Sequence, residues 1–185
     1  MNGLKPIAET LPAGVEERKI SGSNVISIPD RMLVADLISI SAEAPGKIQL
    51  HAGISSRSRV LLGFEFSRTE KEKNVECEFI LEPGACVDVF HLLEGQDGSG
   101  SLSVTVRYHL KKHAALNVWT YVGGGEFSRV EQEVIFKEEH GFASLRGLSV
   151  LSGTSQAHHK VKADHATGHC ISRQFYKSIV AESAK

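Results

Sequence analysis

The chain has 185 residues, 41% apolar and 23% charged, with 21 Lys and Arg against 22 Asp and Glu and a formal charge of −1. That length suffices for one domain with a buried core. The near-neutral balance, with no basic run interleaved with aromatics, provides no electrostatic footprint for nucleic acid or an anionic membrane. The opening MNGLKPIAETLPAG lacks the basic start and apolar run of a signal peptide, and no apolar run approaches the roughly 18–20 residues that span a bilayer. Three cysteines, Cys77, Cys86 and Cys170, with no CxxC, do not form a disulfide framework. A reducing, cytoplasmic compartment is the expectation, with Cys77 and Cys86 as small buried hydrophobes.

Residues 1–24 are punctuated by Gly, Pro and Ser and carry the charged patch Glu16 to Lys19; they read as a tail or entry segment. From residue 25 to 185 the pattern has period two. Ile26-Ile28, Ile38-Ile40, Ile48-Leu50, Val60-Leu62-Phe64-Phe66, Val75-Cys77-Phe79-Leu81 and Val87-Val89 come first. Leu102-Val104-Val106-Tyr108, Leu116-Val118, Val130-Val134-Phe136, Leu148-Val150 and Val161 follow. Such alternation predicts half-buried strands. The acidic and basic residues from Glu65 to Glu78 read as a solvated hairpin tip, and Gly123-Gly124-Gly125 as a turn without the helix start that a phosphate fingerprint needs. In the last segment Ile171, Phe175 and Ile179 fit a helix, yet Ile171-Arg173-Phe175-Lys177-Ile179 also alternates as a strand. Periodicity does not arbitrate between the two.

Turn-like dipeptides recur at Pro83-Gly84, Lys112-His113, His140-Gly141 and Thr167-Gly168, so their second residues are 29, 28 and 27 positions apart. A unit of about 28 residues holding two strands is too short for a propeller blade. It fits one coil of a β-solenoid, in which each coil buries its faces by stacking on the next. A β-sandwich of regular hairpins would give the same period.

His158, His159, His165 and His169 cluster with Asp164 and Cys170 near the end of the sequence. If Thr167-Gly168 is a two-residue turn, His165 faces Cys170 at a Cβ separation of about 4.5–5.5 Å. Imidazole and thiolate at that distance suit zinc, iron or an iron–sulfur cluster, and His165, His169 and Cys170 form the candidate ligand set. An imidazolium there would also make the thiol more nucleophilic. Adjacent His158 and His159 point to opposite faces of a strand. If the coils align, His113, His140 and His169 share one edge as a ladder suited to metal binding or pH sensing, or as a row of solvated corner residues.

The run SGTSQAHHKVKADHATGHCISRQFYKSIV, with its polar turn at Gln156, the strand ending in His165, Ser172-Arg173-Gln174 and the Tyr176-Lys177 pair, resembles the core of the SufB/SufD family. Trp119 in NVWTYVGGGEFSRVE extends the resemblance, which is clearest over 114–180. The family is a scaffold component of the SUF iron–sulfur assembly system. The resemblance implies a right-handed parallel β-helix, no enzymatic activity of its own and a transient iron–sulfur cluster or iron as cargo. It implies pairing with a SufB/SufD-type partner, or with a second copy as a homodimer, through the open β-helix end. It also implies coupling to a SufC-type ATPase, which docks on a C-terminal helical segment that this sequence does not reach. The SufB branch has a sulfur-accepting cysteine after the Asn-x-Trp region. No cysteine lies between Cys86 and Cys170 here, so the resemblance is to SufD. The competing readings are a small metal-dependent β-fold enzyme using His165, His169 and Cys170, and a purely structural solenoid that binds another protein.

Overall fold

Valine, isoleucine, leucine and phenylalanine at every second position favour extended backbone, because branched and aromatic side chains pack well on a pleated surface. The computed structural model describes residues 26–27, 50–54, 57–66, 72–95 and 100–185, and every regular element among them is a strand. In chain order these are β1 (Ile26–Ser27), β2 (Leu50–Ile54), β3 (Arg57–Phe66), β4 (Glu72–Leu81), β5 (Cys86–Gly95) and β6 (Ser101–Leu110). Then come β7 (Ala115–Gly124), β8 (Phe127–Phe136), β9 (Phe142–Leu151), β10 (Gln156–Asp164) and β11 (Ile171–Val180). The expected entry segment 1–24, Ile28, the run Ile38-Ile40, Ile48, Arg68, Glu70 and Lys71 lie outside the described residues.

From β2 onward consecutive strands do not pair. One sheet, A, has the order β1-β2-β4-β6-β8-β10 and the other, B, β11-β9-β7-β5-β3, with every pairing parallel. This is the expected β-solenoid, and the parallel pairing excludes a sandwich of hairpins. In sheet B, Cys86 pairs with Ala115, Ala115 with Phe142 and Phe142 with Ile171, so the coil lengths there are 29, 27 and 29 residues. The ambiguous last segment is the strand β11. The expected hairpin tip is not one: β3 and β4 belong to different sheets, and Glu76 and Glu78 sit on the outer face of β4.

The inward positions fill the space between the sheets. Val75, Cys77, Phe79 and Leu81 of β4, Leu102 to Leu110 at alternate positions of β6, and Leu116, Val118 and Val122 of β7 are buried. Each such side chain contributes about 1.5–3 kcal/mol on burial. Parallel in-register stacking keeps similar residues above one another: Phe79 stacks on Tyr108 with ring centroids 5.4 Å apart.

The corners are tied coil to coil by backbone bonds, such as Gly84 N–H to the Lys112 carbonyl at 2.8 Å and His113 N–H to the Glu139 carbonyl at 3.2 Å. Left-handed backbone occurs at Gly84, His113, His140 and His169 on one side, and at Gly124, Gly125, Gly153 and Glu182 on the other. The turn positions are therefore 139–140 and 168–169, one residue away from the dipeptides expected at His140-Gly141 and Thr167-Gly168.

Gly124 has a second constraint: a Cβ there would lie 2.0 Å from the Gly95 carbonyl oxygen, whereas one at Gly84 would meet nothing within 4 Å. Gly84→Ala is expected to cost only the left-handed penalty of about 1–2 kcal/mol. Gly124→Ala must also shift backbone and is expected to lower the melting temperature several times further. Equal shifts in a thermal melt would refute this account.

Candidate functional site

Three groups of polar residues stand out from the apolar frame: a histidine column at the corners, a buried hydrogen-bonded chain inside the solenoid, and an ion-pair array on sheet A.

The column forms because parallel stacking repeats each corner one coil above the last. The His113 and His140 rings stack with centroids 4.9 Å apart and 6° between planes, and His140 and His169 stack at 5.1 Å and 14°. All three occupy left-handed backbone, with φ of 57°, 62° and 59°, a conformation that is uncommon outside glycine but several-fold enriched in Asn, Asp and His. The expected alignment of these histidines is thus present. Rings stacked in parallel aim their nitrogen lone pairs side by side, not at one point.

Cys170 lies at the same corner as His169. Its thiol is 3.4 Å from the Glu138 carbonyl oxygen, 3.4 Å from that of Gly168 and 3.6 Å from Thr167 Oγ1. His165 turns its ring against Phe136 at 4.7 Å and places Nε2 2.9 Å from Ser172 Oγ. The expected facing of His165 and Cys170 across a hairpin is corrected. β10 pairs with β8 and β11 with β9, so the segment between them is a solenoid corner and not a hairpin turn. Among the described residues no three His, Cys, Asp or Glu side chains converge on a point that would hold a metal ion.

The buried chain was not foreseen. His91 of β5, Thr120 of β7 and Gln132 of β8 occupy inward positions and are no more than 3% exposed. The Gln132 amide nitrogen donates to His91 Nδ1 at 3.0 Å and to Thr120 Oγ1 at 2.9 Å. Tyr176 O–H of β11 donates to Gln132 Oε1 at 2.6 Å. With Nδ1 accepting, the imidazole proton sits on Nε2, 2.8 Å from the Tyr108 hydroxyl. Burial pushes the His91 pKa down to about 3 and holds the Tyr108 and Tyr176 phenols above their ordinary range, Cys77 adding to the effect on Tyr108. Burial also raises the Cys77 thiol to about 12, so Cys77 is an inert core residue, as expected. Near the last coil His159 donates or accepts at Ser149 Oγ, 2.7 Å away, while its buried Nδ1 has no partner among the described residues. Burial, then the neighbouring His158, lowers the His159 pKa. The tyrosine ring of this chain passes so close to β9 that a Cβ on Gly147 would lie 2.2 Å from Tyr176 Cδ1. The sequence signal for the chain was available: His91, Thr120 and Gln132 interrupt otherwise apolar inward phases.

On the outer face of sheet A, charges alternate from strand to strand. Arg107 lies 3.7 Å from Glu76 and 3.5 Å from Glu133, Lys162 lies 2.6 Å from Glu133, and Glu131 is shared by Arg129 and Lys160. Hydrogen bonds from Arg129 and Lys162 hold the Glu131 and Glu133 carboxyls below their ordinary range. These groups are solvated, so each pair contributes little to stability.

A family model described as the SufBD core domain of the SUF system of FeS cluster assembly matches residues 39–185. No curated protein and no solved structure shows a significant match to the chain.

Proposed function

The chain belongs to the SufBD core family of SUF iron–sulfur cluster assembly, and on that premise we propose that it is a non-catalytic scaffold of SufD type that pairs edge to edge with a SufB/SufD-type subunit. The observation that carries the reading is the last coil. Among the described residues β10 and β11 are the edge strands of their sheets, and β11 exposes Ile171, Phe175, Ile179 and Val180. An edge strand with exposed apolar side chains is a template for a further strand.

In this reading the cluster is cargo. Cys170, with His165 and His169 at the same corner, offers thiolate and imidazole donors beside that edge. Among the described residues the donors do not close a site by themselves, so the partner supplies the others. The reducing cytoplasm keeps Cys170 as a free thiol. A SufC-type ATPase is the second proposed partner.

The backbone supplies a selective test. Ile171 N–H donates to the Gly141 carbonyl and Ala181 N–H to that of Leu151, so odd-numbered residues of β11 face β9. In a parallel ladder the even-numbered ones face the open edge. Ser178→Pro therefore removes an edge donor while leaving the β9 ladder intact. Light scattering and affinity capture of the co-expressed pair should give a complex with the native chain and several-fold less with Ser178→Pro. A native chain that stays monomeric beside its SufB-type partner would defeat the reading. Anaerobic addition of iron and sulfide to the pair should give a visible chromophore that Cys170→Ser diminishes.

A further inference from the structure

The two outer faces of the solenoid differ in a way that the scaffold reading does not use. On sheet A the strand cations Arg107, Arg129, Lys160 and Lys162 each have a carboxylate partner. On sheet B, Arg146, Arg173 and Lys177 have none among the described residues. Each lies instead over an aromatic ring: Arg146 over Trp119 at 5.5 Å, Arg173 over Phe142 at 5.9 Å and Lys177 over Phe175 at 5.8 Å.

The register explains the arrangement. Phe90, Trp119, Arg146 and Phe175 are direct ladder partners across β5, β7, β9 and β11. Phe90 and Trp119 stack at 4.8 Å, and this row forms one wall of an almost wholly apolar groove of about 520 Å³ that also takes in Tyr121 and Leu148. Phe175 is 58% exposed and Leu148 37%. A contiguous exposed apolar surface of this kind marks an interaction site. A guanidinium stacked on an indole still directs its in-plane N–H donors outward to a carboxylate.

We propose that this groove docks an acidic segment of a partner protein, one that alternates Asp or Glu with aliphatic or aromatic side chains. The apolar side chains fill the groove, and the carboxylates meet Arg146 and Lys177 at its rim. Charge disfavours a second copy of this chain: isologous pairing places the same three cations against themselves. A lipid surface is disfavoured because the groove is concave and three cations supply only about 1 kcal/mol each at an anionic membrane.

Trp119 is the single tryptophan of the chain and lies in the groove wall, so its emission reports occupancy. The full chain is titrated with a synthetic peptide alternating Glu with Leu and Phe, with the same peptide carrying Lys for Glu, and with phosphatidylserine vesicles. The acidic peptide should give a saturable blue shift, weakened several-fold between low and high salt as surface charges are screened. Arg146→Glu with Lys177→Glu should weaken binding at least tenfold, with the melting temperature of the variant confirming its fold. Should that pair of substitutions fail to fold, Lys177→Gln on the edge strand reads a smaller loss in the same direction. Equal binding of both peptides, no shift with the acidic one, or a shift produced by vesicles or by protein concentration alone would each overturn the proposal. The groove test uses no edge pairing, so its failure leaves the scaffold reading standing, and the reverse also holds.

Discussion

Gln132→Leu is expected to destabilise the protein by about 3 kcal/mol, because it removes three hydrogen bonds of the interior chain at roughly 0.5–1.5 kcal/mol each and leaves His91 Nδ1 and Thr120 Oγ1 only their mutual contact at 3.4 Å. Leucine fits the volume of glutamine well enough that packing is nearly preserved. The loss is therefore one of hydrogen bonds: His91 Nδ1 loses a donor, Thr120 Oγ1 loses another and Tyr176 O–H loses its acceptor. For a chain of this size such a loss lowers the melting temperature by on the order of 10 °C. A double-mutant cycle with Tyr176→Phe separates the causes. Tyr176→Phe alone orphans Gln132 Oε1, but in the Gln132→Leu background the phenol has already lost that bond, so the two costs should fall short of additivity by about 1 kcal/mol or more. Additive costs, or a Gln132→Leu variant as stable as the native chain, would show that the buried chain does not contribute as described.

Stability is also expected to fall steeply between pH 6.5 and pH 4.5, before the carboxylates titrate. His91 has an ordinary value of 6.5 and a folded value of about 3. Between those limits the unfolded chain takes up a proton that the folded chain excludes. Unfolding free energy thus rises with pH through this window and is lost as pH falls, by about 1.4 kcal/mol per pH unit once the slope is developed. His159, also lowered, acts in the same direction. Glu131 and Glu133, held below their ordinary 4.5, lose their contribution only further down, as pH drops through their depressed folded values. The geometry gives the same sign without any titration argument. A proton on His91 Nδ1 would point at the Gln132 amide nitrogen, a donor against a donor. Urea midpoints at pH 7, 6 and 5 should decline for the native chain and much less for His91→Gln. Parallel declines would place the acid sensitivity elsewhere.

The strands were legible because Val, Leu and Phe recur in phase two, and the solenoid because four corners recur at nearly constant spacing. The corners were misplaced by one residue at His140 and His169 for an identifiable reason. Glycine attracts the assignment of left-handed backbone, but Gly141 carries none; a Cβ there would sit 2.6 Å from Phe136 Cδ1, so the site requires a missing side chain and not a special φ. The hairpin expected between His165 and Cys170 is absent: a two-residue turn and a solenoid corner share the same residue vocabulary. Only the partner of each strand distinguishes them, and that partner lies about 29 residues away. The buried chain escaped notice because His91, Thr120 and Gln132 come from separate strands, each with only one or two polar interruptions in its inward phase. Three isolated exceptions become a network only when the coils are stacked.

The nearly constant register of the coils has a mechanical consequence. Each strand is bonded only to the strands one coil before and one coil after it, so the molecule behaves as a short stack of equivalent springs in series. Tension applied along its axis loads every interface alike, and rupture begins at the weakest one. Each coil that peels away releases its 29 residues, about 100 Å of slack at full extension. The exceptions are side-chain bonds that cross the interior from one sheet to the other: Tyr108 to His91, Gln132 to His91, Thr120 and Tyr176, and Ser149 to His159. They act as rivets between strands that no backbone ladder joins.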